Sequence, residues 1–268
     1  MEWQLIPVFV AIGCVVGFLA GLLGIGGAMT MIPVLTVIFG REHFPPNHVV
    51  HMAIATSLAT IVFTSVSSTR AHAQRGAVLW HDVWGLTPGI LLGSLVGPQI
   101  VAGMSSALLA ALFGLFTGTS ALQMLLNRKP KATRDLPGRG GLFAVGAVIG
   151  VLSSMVGAGG GFLSVPFMTW CNVRIHQAVA TSAALGFPIA AAGTVGYVLA
   201  GLRHEGLPPY TVGYIYLPAL AAIVVASMFL APLGVRVAHR LPIAQLRRMF
   251  AGLLVAISAF MLWKATTY

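Results

Sequence analysis

Along this chain the apolar positions run in long unbroken blocks instead of alternating with polar ones. Residues 3–40, 83–102, 107–126, 142–171, 177–202 and 206–235 contain no Asp, Glu, Lys or Arg. A helix that crosses a bilayer needs roughly 20 mostly apolar residues, and each block reaches that length. The last apolar stretch, 249–263, is shorter and takes in Leu241–Leu246 to reach full depth. The pattern predicts ordinary spans over 49–69, 83–102, 107–126, 177–200, 210–235 and 243–264. Two further blocks, 3–40 and 142–171, are broken by glycine runs, Gly24-Ile25-Gly26-Gly27 and Gly157-Ala158-Gly159-Gly160-Gly161.

Composition turns this pattern into a class. The 268 residues are 57% hydrophobic and 7% charged, with a mean hydropathy of +0.93. A soluble domain carries about 25% charged residues, so this chain cannot cover a water-facing surface. It is expected to be an all-α, multi-pass inner-membrane protein whose surroundings are the lipid bilayer. No basic residue precedes the first apolar block, as a cleaved signal peptide would require. Ala11-Ile12-Gly13-Cys14 resembles a lipoprotein cleavage box only faintly. Cys14 and Cys171 both lie inside apolar blocks and suggest packing, not a disulfide or a thiolate site.

The formal net charge of +10 does not call for nucleic acid. Arg128, Lys129, Lys131, Arg134 and Arg139 crowd one short loop, and Arg236, Arg240, Arg247 and Arg248 another. Basic short loops are the mark of the cytoplasmic side. With both loops inside, the broken segments must enter and return with no net crossing. Arg70 and Arg75 then fall inside, and loops 40–48, 103–106 and 201–209 fall outside. Both termini are expected on the periplasmic or extracellular side.

The chain repeats itself. Residues 17–28 (GFLAGLLGIGGA) return as 150–161 (GVLSSMVGAGGG), and Pro33 matches Pro166 at the same offset. Residues 47–57 (NHVVHMAIATS) return more closely as 172–182 (NVRIHQAVATS). The expected organisation is a first repeat over 1–127, a basic cytoplasmic linker over 128–139 and a second repeat over 140–268. Each repeat is a glycine-broken helical hairpin followed by three transmembrane helices. An odd number of net crossings per repeat makes the two inverted, an arrangement that recurs among transporters.

The candidate chemistry sits in the repeated motifs. Irregular backbone is tolerated in the hydrocarbon only where it is buried in protein or lines a cavity. A helix that restarts after a break offers unpaired N–H groups and the positive end of its dipole, which suits an anion. Gly24, Gly26, Gly27, Gly157, Gly159, Gly160 and Gly161 are therefore candidates for binding a small anion. Close helix packing through small residues is the competing reading. A dinucleotide fingerprint does not fit, since no strand–helix unit surrounds either run. Thr56, Ser57, Thr181 and Ser182 can donate hydroxyl hydrogen bonds to an oxyanion, or bond back to a carbonyl one turn earlier. Asn47 and Asn172 read as helix N-caps. His51 and His176 are candidates for proton-responsive groups beside the substrate, or for interfacial residues near helix starts.

Gly-x-Gly-Gly-x-x-x-x-x-Pro, present twice, and the Ala-Thr-Ser of the helix that follows resemble the sulfite exporter TauE/SafE family of membrane permeases. The resemblance covers nearly the whole chain. It implies an inner-membrane transporter, in the exporting direction, for sulfite, an organosulfonate or a related sulfur-containing anion. Ala28 stands where the second copy has Gly161.

Other classes fare worse. All five acids (Glu2, Glu42, Asp82, Asp135 and Glu205) lie in loops or at span edges. An intramembrane enzyme would need a catalytic constellation, and a cation carrier intramembrane carboxylates or clustered His and Cys. Neither pattern is present, so no enzyme activity, cofactor or metal is expected. An anion channel, a carrier for a different small anion and a homo-oligomer all stay open.

Overall fold

The computed structural model describes residues 5–23, 28–42, 44–74, 76–126, 136–204, 206–238 and 243–268. Gly24, Gly26 and Gly27 and most of the 128–139 linker lie outside the described residues. Ten helices are described: α1 (Leu5–Leu23), α2 (Ala28–Arg41), α3 (Val49–Gln74), α4 (Trp80–Ala102), α5 (Ser106–Leu126), α6 (Arg139–Met155), α7 (Gly161–Trp170), α8 (Ile175–Gly201), α9 (Leu217–Ala238) and α10 (Ile243–Ala265). Five stretches are long and apolar enough to cross a membrane: α3, α4, α5, α8 and Arg248–Ala265 of α10.

The bundle wears its apolar side chains outside. Trp84 is 71% and Phe229 75% exposed, whereas His51, Thr56 and Thr181 are completely buried. That inversion suits a surface solvated by lipid tails, with polar groups kept for the interior.

Helices α3 and α8 cross antiparallel through the centre. A Cβ on Gly193 of α8 would lie 3.2 Å from Leu58 of α3, and one on Gly186 would lie 3.7 Å from Ser65. Farther along, Thr69 Oγ1 donates to the Ala183 carbonyl at 3.1 Å. The most extensive helix pairs are α4 with α6, α1 with α9, and α5 with α10. Glycines permit the first two. A Cβ on Gly13 or Gly17 of α1 would strike Ile223, Ala226 or Ser227 of α9, at 2.5 to 2.9 Å. At the matched positions, Gly146 and Gly150 of α6 lie against the Leu86 and Ile90 carbonyls of α4. These glycines are contact points, as in small-xxx-small helix pairs.

Both broken segments turn back. Phe9 near the start of α1 and Phe39 near the end of α2 both pack on Tyr216. In the second segment, Leu142 early in α6 and Met168 late in α7 share one cluster with Val78. Leu5 of α1 and the Lys264 end of α10 therefore lie at one end of the bundle. Leu126, Arg139, Ala238 and Ile243 lie at the other. The first is called the terminal end below, and the second the loop end.

Two expectations need correcting. The span expected over 210–235 starts late: Thr211–Val212 (β1) and Ile215–Tyr216 (β2) form a short antiparallel hairpin, and α9 begins only at Leu217 of the otherwise all-helical bundle. Pro208-Pro209 and Gly213 (φ +57) supply the turn chemistry that holds back the helix. Asn172 is not the N-cap of α8. It sits two residues before the N-cap, Arg174, in the left-handed region at φ 65, and Asn47 lies two residues before Val49, the first helical residue of α3.

Candidate functional site

The break between α6 and α7 brings unpaired backbone to the middle of the bundle. α6 stops at Met155 and α7 starts at Gly161. Gly157 (φ +64) and Gly160 (φ +78) make the turn, in a region that costs any other L residue about 1–2 kcal/mol. A Cβ on Gly157 would meet Ile32 at 2.7 Å and Ile54 at 3.1 Å, and one on Gly160 would strike Ile189 of α8. Gly159 is different: its nearest neighbour to such a Cβ is Ile61, at 3.9 Å, and its φ is not positive. The glycines of this run are thus not equivalent. Gly157 and Gly160 shape the turn, while Gly159 keeps open space beside it.

Ile61 lies midway along α3, so the break reaches about the depth where substrate sites of broken-helix transporters sit. As the α7 helix restarts, the N–H groups of Gly161 and Phe162 have no helical acceptor. The next two N–H groups, those of Leu163 and Ser164, bond the Gly160 carbonyl at 3.0 and 2.9 Å. The positive end of α7 thus points into the protein interior at Gly160–Phe162.

Three serines surround this helix start. Ser57 on α3 stands between Ile54 and Ile61, which touch the break, and its fully buried hydroxyl has no hydrogen-bond partner. Ser182 on α8 bonds Ser164 in the first turn of α7, Oγ to Oγ, at 2.7 Å. Ser164 also lies 2.8 Å from the Gly160 carbonyl. With one proton on each hydroxyl, Ser164 can serve only one of these acceptors at a time. Ser164 escaped the sequence reading because nothing in its spacing marks it. Only the return of α7 along α8 sets it against Ser182.

The threonines are committed elsewhere. Thr56 Oγ1 accepts the peptide N–H of Tyr216 at 3.1 Å, and Thr181 Oγ1 accepts that of Leu79 at 3.0 Å. Each donor is the residue before a helix, Leu79 before α4 and Tyr216 before α9. Thr56 approaches the break from the terminal end and Thr181 from the loop end. Each hydroxyl keeps one proton to donate, but neither is a free group awaiting an anion.

The two histidines part company. His51 is fully buried, and its Nε2–H donates to the Val101 carbonyl at 2.8 Å. His176 is exposed in the first turn of α8. Among the described residues no group of three or more His, Cys, Asp or Glu is placed to hold a metal ion.

An all-helical bundle with long apolar helices and a broken helix at its centre is an arrangement that recurs among membrane transporters. The sulfite exporter TauE/SafE family model matches residues 9–261, and the chain belongs to that family. It is 32% identical over 255 residues to a probable membrane transporter protein of Haemophilus influenzae, covering 94% of this chain and 96% of the relative. A probable membrane transporter protein of Methanocaldococcus jannaschii is 29% identical over 264 residues, 96% of each chain. A third relative, from Xylella fastidiosa and described in the same words, is 29% identical over 278 residues, 99% of this chain and 98% of its own. These are transporters, not enzymes. No solved structure matches the chain.

Proposed function

We propose that this protein exports a small sulfur-containing oxyanion, sulfite or an organosulfonate, across the inner membrane. The observation that carries the anion reading is Ser57. A buried hydroxyl without a partner is costly, and Ser57 lies on α3 between Ile54 and Ile61, the residues that meet Gly157 and Gly159 of the break. An oxyanion there would accept from Ser57, from the Gly161 and Phe162 N–H groups, and from a hydroxyl of the Ser164–Ser182 pair. The glycines Gly157, Gly159, Gly160 and Gly161 leave the backbone room for it, with Gly24, Gly26 and Gly27 as their counterparts in the first repeat. No carboxylate is needed, and none would be welcome.

The reading of two inverted repeats, 1–127 and 140–268, is part of this proposal. The doubled motifs support it. So do the exchanged helix pairs, α1 on α9 and α6 on α4, and the exchanged bonds, Tyr216 to Thr56 and Leu79 to Thr181. Inverted repeats allow one bundle to rock against the other around a fixed site. The basic loops put the loop end in the cytoplasm and both termini outside.

The test is reconstitution in liposomes with flux measured for sulfite, sulfate, thiosulfate, an organosulfonate and phosphate. Sulfite or sulfonate flux that falls in Ser57→Ala is the expected result. Flux of phosphate alone would overturn the substrate class.

A further inference from the structure

At the terminal end the 211–216 hairpin is seated by a cluster of aromatic and imidazole rings that the substrate site does not use. Tyr214, at 0% exposure, is its centre. Its ring stacks on His51 at 5.4 Å with 28° between the planes. It also packs against His48 at 5.4 Å, His204 at 5.7 Å and Tyr197 at 6.3 Å. The His48 and His204 rings lie 4.8 Å apart, and the Tyr214 hydroxyl is 3.4 Å from His48 Nδ1. Gly213 lets the hairpin press on the end of α8, where its Cβ would meet the Val198 carbonyl at 2.5 Å. Two residues beyond Tyr214, the Tyr216 N–H reaches Thr56. The hairpin thus sits at the terminal end between α3 and α8.

We infer that this hairpin is the gate of the terminal end, that Tyr214 is its latch, and that protonation of His48 against the His204 ring releases it. The inference rests on the transporter class alone and not on the substrate. The seated arrangement suits neutral imidazoles. A carbonyl can only accept, so His51 holds its proton on Nε2. In the neutral Nε2–H form His48 offers a bare Nδ1 to the Tyr214 phenol. A proton on that nitrogen removes the acceptor and sets a cation 4.8 Å from the His204 ring.

The rings around His48 are His51 from α3, His204 beyond α8 and Tyr214 from the hairpin, and Tyr214 also faces His204. Glu42 and Tyr210 act on Tyr216 instead. Among the described residues no carboxylate forms an ion pair with either histidine. Burial, then His204, lowers the His48 pKa from its ordinary 6.5, whereas burial lifts the Tyr214 phenol to about 12. The phenol therefore stays protonated while His48 titrates. A group whose pKa is depressed in the seated state and recovers when the hairpin lifts binds protons better in the lifted state. Seating is complete above pH 6.5 and weakens as the pH falls below it.

The experiment uses the full chain with Cys14 and Cys171 replaced by Ser, reconstituted in liposomes. Spin labels at Asn47 and Val212 report the hairpin's position, and a Ser57→Cys variant reports access from the terminal end to an impermeant thiol reagent. Between pH 8 and pH 5.5 we expect a second, longer spin–spin distance and a labelling rate raised by about threefold or more. His48→Gln with His204→Gln should abolish both changes, and Tyr214→Phe, which keeps the ring and loses only the hydroxyl, should raise labelling already at pH 8. A single distance and constant labelling across that range would overturn the gate. Persistence of the pH response in the double variant would overturn the assignment to these histidines, and parental labelling of Tyr214→Phe at pH 8 would overturn the latch. None of these readouts needs a transported anion, so a wrong substrate leaves them intact.

Discussion

The peptide N–H of Leu79 donates to the side chain of Thr181, 102 residues farther along the chain, at 3.0 Å. The N–H of Tyr216 does the same to Thr56. Each bond ties the start of one helix to the span that carries the matched Ala-Thr-Ser of the other half. Helix-start N–H groups have no partner within their own helix, so these threonines act as caps supplied from a distance.

Thr181→Val keeps the side-chain shape and strands the Leu79 N–H. An unsatisfied donor costs up to about 1–3 kcal/mol when buried, and this one is part-buried, so thermal unfolding in detergent should shift downward. Thr181→Ser should restore most of the loss. A valine variant as stable as the parent would show that the bond contributes nothing.

The glycine run can be dissected position by position. Gly160→Ala forces an L side chain into φ +78 and drives its Cβ into Ile189. It should cost at least about 1–2 kcal/mol and abolish flux. Gly159→Ala meets only Ile61 at 3.9 Å and should fold normally. Its flux then reports whether the open space beside Gly159 is used by the anion. Equal stability of the two variants would refute this account of the turn.

Close packing at Gly17 and Gly150 gives a paired prediction. Gly17→Val would press on Ser227 and Gly150→Val on Ile90, each at 2.5 Å from the added Cβ. Both should lose folded protein in fluorescence-detected size-exclusion chromatography. Gly252→Val, with nothing within 4 Å of its Cβ, is the control and should behave as the parent. Tolerance of valine at both packed positions would count against the α1–α9 and α4–α6 contacts.

Sidedness can be read with single cysteines at Gly140 and Thr267 in a cysteine-free background. The basic loops predict Gly140 in the cytoplasm and Thr267 outside, so an impermeant reagent applied to whole cells should label only the second. Labelling of both from one side contradicts the arrangement of the helices. Labelling of Gly140 alone reverses the orientation.

His51 and His176 separate by burial. His176→Gln alters an exposed side chain and should leave stability and flux unchanged. His51→Ala removes the bond to Val101 and the stacking on Tyr214, and should destabilise. Replacing both by Gln should leave at least partial transport, measured with the pH gradient and the membrane potential imposed separately. Complete loss of flux in a folded double variant would make the histidines part of the coupling.

Much of this protein was legible in one dimension, because the bilayer acts on local composition. A block without charge, long enough to span, must leave water wherever it falls in the chain. Hence α3, α5 and α8 begin within two residues of where the apolar pattern put them. A duplicated motif is likewise readable without coordinates. Tertiary structure decided what the motif's residues do, because hydrogen-bond partners and steric neighbours arrive from distant segments. Ser57 and Thr56 are adjacent in sequence, yet one hydroxyl has no partner and the other caps Tyr216. Gly159 and Gly160 are adjacent too, but only Gly160 sits at positive φ. The latch around Tyr214 draws residues from 48 to 214, and no spacing rule joins them until α3 and α8 cross.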